Sequence, residues 1–143
     1  MKVENIKFKA KRLDNSEWVE GYYVKKTTRK QTPKGDVVED GEEHLIFGMS
    51  KEDVQPLCYE VAPSTICQFT GEKDMNGDNI YVGDIISNLE TKSVIEVVWN
   101  DKMKMLDCKF LNGVKCCFDI PFGTFVARYH RIVVLRSKFD KEK

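Results

Sequence analysis

Apolar Ile6, Phe8 and Ala10 alternate with Lys7, Lys9 and Lys11 at the start of the chain, the period of a half-buried strand. Leu13-Asp14-Asn15-Ser16 reads as a turn, and Glu17 to Val24, with Trp18, Tyr22 and Tyr23, as the returning arm of a β-hairpin. Gly21 inside that arm predicts a bulge or a close backbone approach. The lysine stripe reads as an exposed face or edge, where lysine discourages stray strand pairing. Thr27 to Asp36 is polar, holds Pro33-Lys34-Gly35, and reads as a mobile loop or a long hairpin tip. Val37-Val38 and His44 to Phe47 are expected to pair around Asp40-Gly41, a hairpin dipeptide. Ser50 to Asp53 can cap a short helical turn that Pro56 would end. Tyr59 to Val61 then reads as extended.

From Ile85 onward the apolar runs are short and evenly spaced. Ile85–Leu89, Val94–Trp99, Met103–Phe110, Val114–Phe118 and Arg131–Leu135 read as five strands. Thr91-Lys92, Asn100-Asp101 and Asn112-Gly113 are the turns, and Pro121 to Tyr129 is a longer link with one helical turn. Such a meander predicts a small, partly open barrel of SH3-like type. The fold class is therefore mainly β with little helix: an N-terminal β-hairpin region over residues 1–63, then a signature hairpin and SH3-like open barrel over 64–143.

Residues 64–86 join the two halves and carry the tightest turn signal. Asn76-Gly77 is the preferred pair for a two-residue type I′ hairpin, in which both central residues need positive φ. Asp74 and Asp78 bracket it, as short carboxylates that bond nearby backbone N–H groups do. Gly83-Asp84 breaks the second arm. The stretch also looks like the opening of an EF-hand loop, with Asp74, Asn76 and Asp78 as the first ligands. That loop needs Gly at its sixth position and Glu at its twelfth, where this chain has Asn79 and Ile85. A plain turn is expected, and no metal.

Gln68-Phe69-Thr70-Gly71, Lys73-Asp74, Asn76-Gly77, Ile80-Tyr81 and Gly83-Asp84-Ile85 resemble the signature of the YopX family of phage and prophage proteins. That signature runs approximately Q-[YF]-T-G-L-K-D-K-N-G-K-x-I-[YF]-E-G-D-I-[VI]. Glu72, Met75 and Val82 stand here in place of its Leu, Lys and Glu. The opening IKFKAKRLDNSEWVEGYYV and the closing YHRIVVL are also similar to members, whereas Phe139-Asp140 and the Lys-rich end depart from the common ending. The resemblance implies kinship and brings no activity with it.

The 143 residues suffice for one ordinary domain or two small ones, and a 41% hydrophobic share supports a core. No run approaches the ~18 apolar residues that span a bilayer, and no signal-peptide segment opens the chain. A soluble protein of the bacterial host cytoplasm is expected. Cys58, Cys67, Cys108, Cys116 and Cys117 lack C-x-x-C spacing and read as reduced, mostly buried thiols. Net charge is zero, but in blocks: +6 over residues 1–35, −10 over 36–86, 0 over 87–127 and +4 over 128–143. The blocks either fold against one another or steer self-association.

Only two histidines, His44 and His130, are present, and Gly is not clustered into a nucleotide loop. A Cys67–His130 couple would lack an orienting group and an oxyanion hole in the adjacent segments. No catalytic residue and no cofactor are expected. Arg128, Arg131, Arg136, Lys138, Lys141 and Lys143 gather at a basic end, where Tyr129 and Phe139 could stack on bases. A pI of 6.7 argues against a dedicated nucleic-acid binder. The expected function is a non-enzymatic phage or prophage accessory protein acting as an oligomeric protein-binding module. The rival is a nucleic-acid-binding SH3-like barrel. Trp18, Tyr22, Tyr23, Phe122 and Phe125 are the aromatic candidates for a self-association surface.

Overall fold

The structure, a computed structural model, describes residues 6–48, 57–112 and 120–140. It divides into two compact units, one ending at Cys67 and the other beginning at Gln68. In the N-terminal unit, β1 (Phe8–Lys11), β2 (Trp18–Gln31), β3 (Val37–Gly48) and β4 (Leu57–Glu60) pair antiparallel in chain order, and Pro63–Thr65 adds a single 3₁₀ turn. Alternation decides the buried face. Ala10, Ile46 and Val61 form the core, with Phe8, Val19, Tyr23, Tyr59 and Ile66 packed on it.

The hairpin of β2 and β3 is the dominant feature of this unit. Thr27 to Asp36 is not a loop: β2 runs through Gln31, and only Thr32 to Asp36 turns. Nor is Asp40-Gly41 a turn. Thr28 faces Gly41 and Arg29 faces Glu39, so Asp40 is the extra residue of a bulge, its carboxylate accepting from Thr28 Oγ1 at 2.8 Å. Beyond Val24 most of β2 is exposed, so a strand exists there without the alternation that would announce it. Lys25 and Glu42 pair across the two strands at 3.0 Å. Hydrogen bonding to Lys25 holds the Glu42 carboxyl below its ordinary value, and Glu42 holds the Lys25 ammonium above its own.

In the C-terminal unit, β5 (Cys67–Lys73) and β6 (Asn79–Tyr81) form the signature hairpin. Then β7 (Asp84–Asn88), β8 (Ser93–Asn100), β9 (Met105–Asn112), β10 (Ile120–Pro121), helix α1 (Phe122–Arg128) and β11 (Ile132–Ser137) follow. The sheet has five strands in the order β10-β9-β8-β7-β11, so the last strand returns beside the first of the meander. The mainly-β class is as expected, and the described residues form two antiparallel sheets and no closed barrel. Ile80, Ile86, Ile95, Val97, Cys108, Phe122, Phe125 and Ile132 make the core. Phe122 and Phe125 therefore cannot serve a self-association surface. The helical turn that carries them has only one apolar side, and that side is turned inward. The expected strand Val114–Phe118, the expected cap at Ser50–Asp53, Cys116 and Cys117 lie outside the described residues.

Candidate functional site

The signature hairpin closes on Asp74. Asp74 N–H donates to Asp78 O at 2.8 Å and Gly77 N–H donates to Asp74 O at 3.0 Å. Gly77 has φ +84°, while Asn76 is not among the positive-φ residues. The expected type I′ turn is thus corrected to a type I turn followed by a left-handed glycine, the three-residue hairpin loop with a bulge. One longer loop residue lets Asp74 curl over its own turn. Its Oδ1 accepts from Asn76 N–H and Asp78 N–H, both at 2.9 Å.

Asp74 Oδ2 does something the local sequence does not announce. It accepts from Val134 N–H at 3.0 Å, on β11, while Met75 N–H donates to Ile132 O at 3.0 Å. Residues two apart in a strand present their backbone groups to the same side. Ile132 and Val134 point theirs away from β7, along the outer edge of the five-stranded sheet. The tip of the signature hairpin therefore covers that edge as a short stand-in for a strand. Asp74 is only 6% exposed, and a buried carboxylate needs such donors.

The remaining signature residues hold this hairpin to the unit. Thr70 Oγ1 donates to Ile80 O at 2.7 Å, and Gly71, at φ +90°, sits where the pairing slips between Phe69 and Lys73. Gln68 is itself exposed, but its carbonyl accepts from Val82 N–H at 2.9 Å. Gly83, at φ +94°, donates to Val97 O and accepts from Lys138 N–H, both at 2.8 Å. Asp84 is fully buried and accepts from Tyr81 N–H at 2.8 Å, while the Tyr81 ring lies 5.5 Å from that of Phe69. Lys73 is exposed beside the turn. A Cβ on Gly77 would meet nothing within 4 Å, so only backbone strain opposes substitution there. Gly77→Val is expected to cost about 1–3 kcal/mol and Gly77→Asn a few tenths, read from urea denaturation midpoints.

The basic residues are not brought together. Arg128 ends α1, with its guanidinium 5.7 Å from the Tyr129 ring, and Arg131 precedes β11. Lys138 follows β11, its stem lying over Gly83 and its ammonium 5.0 Å from the Phe139 ring. The strand between these ends spans ~20 Å. Arg136 is half-buried, close to Ser137 O. Lys141 and Lys143 lie outside the described residues.

Of the histidines, His44 is engaged through both ring nitrogens, with Tyr23 Oη 2.5 Å from Nδ1 and a Glu42 carboxylate oxygen 3.6 Å from Nε2. Nothing in the local sequence marks this pairing, which depends on the register setting Lys25 opposite His44. His130 is exposed and borders a polar cavity of about 220 Å³ beside the signature turn, shared with Glu72, Lys73 and Tyr129. Cys67 and Cys108 are buried, and Cys58 is exposed. Among the described residues, no cluster of His, Cys, Asp or Glu could hold a metal, and no helix is long and apolar enough to cross a membrane.

Among known families, the chain matches the one described as YopX protein over residues 7–125 of its 143 residues. No curated protein matches. The match takes in β1, the whole β2–β3 hairpin, both arms of the signature and the meander as far as α1. On that extent, the chain belongs to the YopX family.

Proposed function

We propose that this is a phage or prophage accessory protein of the bacterial host cytoplasm, non-enzymatic, acting as a binding module whose first partner is a second copy of itself. The observation that carries the proposal is the outward face of the β2–β3 hairpin. Tyr22 stands opposite Phe47, and Val24 opposite Leu45, on the side away from the core face of Tyr23 and Ile46. Tyr22 is 53% exposed, Val24 44% and Phe47 37%. An aromatic and aliphatic row of this kind on a sheet face marks an interaction surface.

Charge favours a second copy as the occupant. The outer part of β2 carries Lys25, Lys26, Arg29 and Lys30, and that of β3 carries Glu39, Asp40, Glu42 and Glu43. A two-fold axis that runs along the strands, between two such faces, places each basic strand over an acidic one. The SH3-like kinship of the C-terminal unit belongs to the same proposal, supported by its open sheet with β11 returning beside β7. The test is light scattering on the intact chain at two salt concentrations, with Tyr22→Glu/Phe47→Glu beside it. The wild type is expected as a salt-weakened multimer and the variant as a monomer with unchanged circular dichroism. A wild-type monomer up to the millimolar range overturns the proposal. So does a salt-sensitive duplex-DNA complex lost in Arg131→Ala/Arg136→Ala, which would install the nucleic-acid reading instead.

A further inference from the structure

The C-terminal unit contains a second cavity, of about 200 Å³, lined by Asn88, Thr91, Ser93, Phe110, Ile120, Phe125 and Tyr129. Its walls are aromatic and aliphatic. Phe125 and Tyr129, one turn apart on α1 and its cap, lie with ring centroids 5.2 Å apart. Its polar end is Asn88, which closes β7 and is fully buried. The Asn88 Oδ1 accepts from Glu90 N–H at 3.0 Å, and that bond fixes which end of the amide is which, since a flipped amide would set donor against donor. The Nδ2 group is left with no hydrogen-bond partner. Thr91 Oγ1 and Ser93 Oγ are occupied with each other at 3.0 Å.

A buried amide donor without an acceptor is rare and costly, and a small shift of the Asn88 side chain toward the cavity it lines would bring that donor to an entering acceptor. We propose that this cavity is a binding site for a small, neutral, single-ring compound bearing a carbonyl acceptor, which the Asn88 Nδ2 group receives. Three features define that class. The volume fits a single substituted ring, since an apolar cavity of ~150 Å³ already admits benzene. The aromatic walls favour a flat apolar body. Among the described residues, no Lys, Arg, Asp, Glu or His lines the cavity, and none of them would offset a ligand charge. The site lies wholly in the C-terminal unit, and its fate is independent of the hairpin face in the other.

The test compares benzamide with toluene, which fills a similar volume without an acceptor. Titrations on the intact ¹⁵N-labelled chain are followed through the Asn88 side-chain amide and the Phe125 and Tyr129 ring resonances. Benzamide is expected to shift all three saturably and to bind at least about tenfold more tightly than toluene, because a site built around a buried donor rejects the analogue that lacks its acceptor. Asn88→Leu is expected to erase that preference. Because the variant also loses the Glu90 bond and could fail to fold, the wild-type amide shift stands as a separate readout. Three results overturn the proposal: no saturable shift with benzamide, equal affinity for both probes, or an Asn88 side-chain amide resonance that does not move at saturating benzamide.

Discussion

Replacing Gly21 by alanine is expected to destabilise the protein by about 3–5 kcal/mol, the largest effect of any single methyl in the N-terminal unit. A Cβ built on Gly21 falls 2.1 Å from Phe47 O and 3.0 Å from the Gly48 Cα. Both obstacles are backbone, so no side chain can swing aside. Either β2 and β3 separate or the pairing slips, and a one-residue slip would turn Tyr23 and Ile46 out of the core. Gly41→Ala is the control. Its Cβ would meet only the Thr28 hydroxyl, at 3.1 Å, and a cost below about 1 kcal/mol is expected. Urea midpoints that do not separate the two variants would show that the strands are not as close at Gly21 as the structure has them.

Asp74→Ala is expected to cost about 2–4 kcal/mol, through the other unit. The substitution removes the acceptor of three backbone N–H groups. Asn76 and Asp78 are exposed, so their N–H groups can turn to water, but the β11 edge loses its cover at Val134. Asp74→Asn separates the contributions. Its carbonyl can keep the two turn bonds, while its NH₂ then faces the Val134 N–H donor to donor. That variant is expected to retain the hairpin, to lose about half as much stability as the alanine variant, and to lose hydrogen-exchange protection at Val134 selectively. Unchanged Val134 protection in both variants would remove Asp74 from the role of edge cover.

Two different signals in the sequence disclosed the fold. The first hairpin alternates, and alternation is what burial on one side leaves behind, whereas the β7–β9 meander, whose first strand is buried on both faces, shows as short apolar runs parted by turn residues. The outer half of the β2–β3 arm has no dry face, and so Thr27 to Gln31 reads as a loop although it is strand. Two dipeptides misled for a different reason. Asp40-Gly41 serves a bulge as readily as a turn, and Asn76-Gly77 serves a turn in which only the glycine takes positive φ. The signature residues were legible as a turn but not as an edge cover, because Val134 is 60 residues from Asp74 and no local pattern links them. Asn88 left a faint trace, as a lone amide at the end of an apolar strand. Its unpaired donor depends on the packing around β7, which the strand's own residues do not spell out.

The return of β11 to the side of β7 also orders events on the ribosome. Every described strand of the N-terminal unit lies between Phe8 and Glu60, whereas the described C-terminal sheet lacks an outer strand until Ile132–Ser137 has been made. At a synthesis rate of about 5–20 residues per second, the wait from Asn88 to Ser137 lasts roughly 2–10 s. Through it, β7 presents an uncovered side of its own, and the signature hairpin has no Val134 to seize. The nascent chain thus carries a sticky intermediate whose lifetime is set by translation speed. Slow codons after the β9 region would lengthen the interval in which neighbouring chains on a polysome can pair with one another instead of with their own last strand.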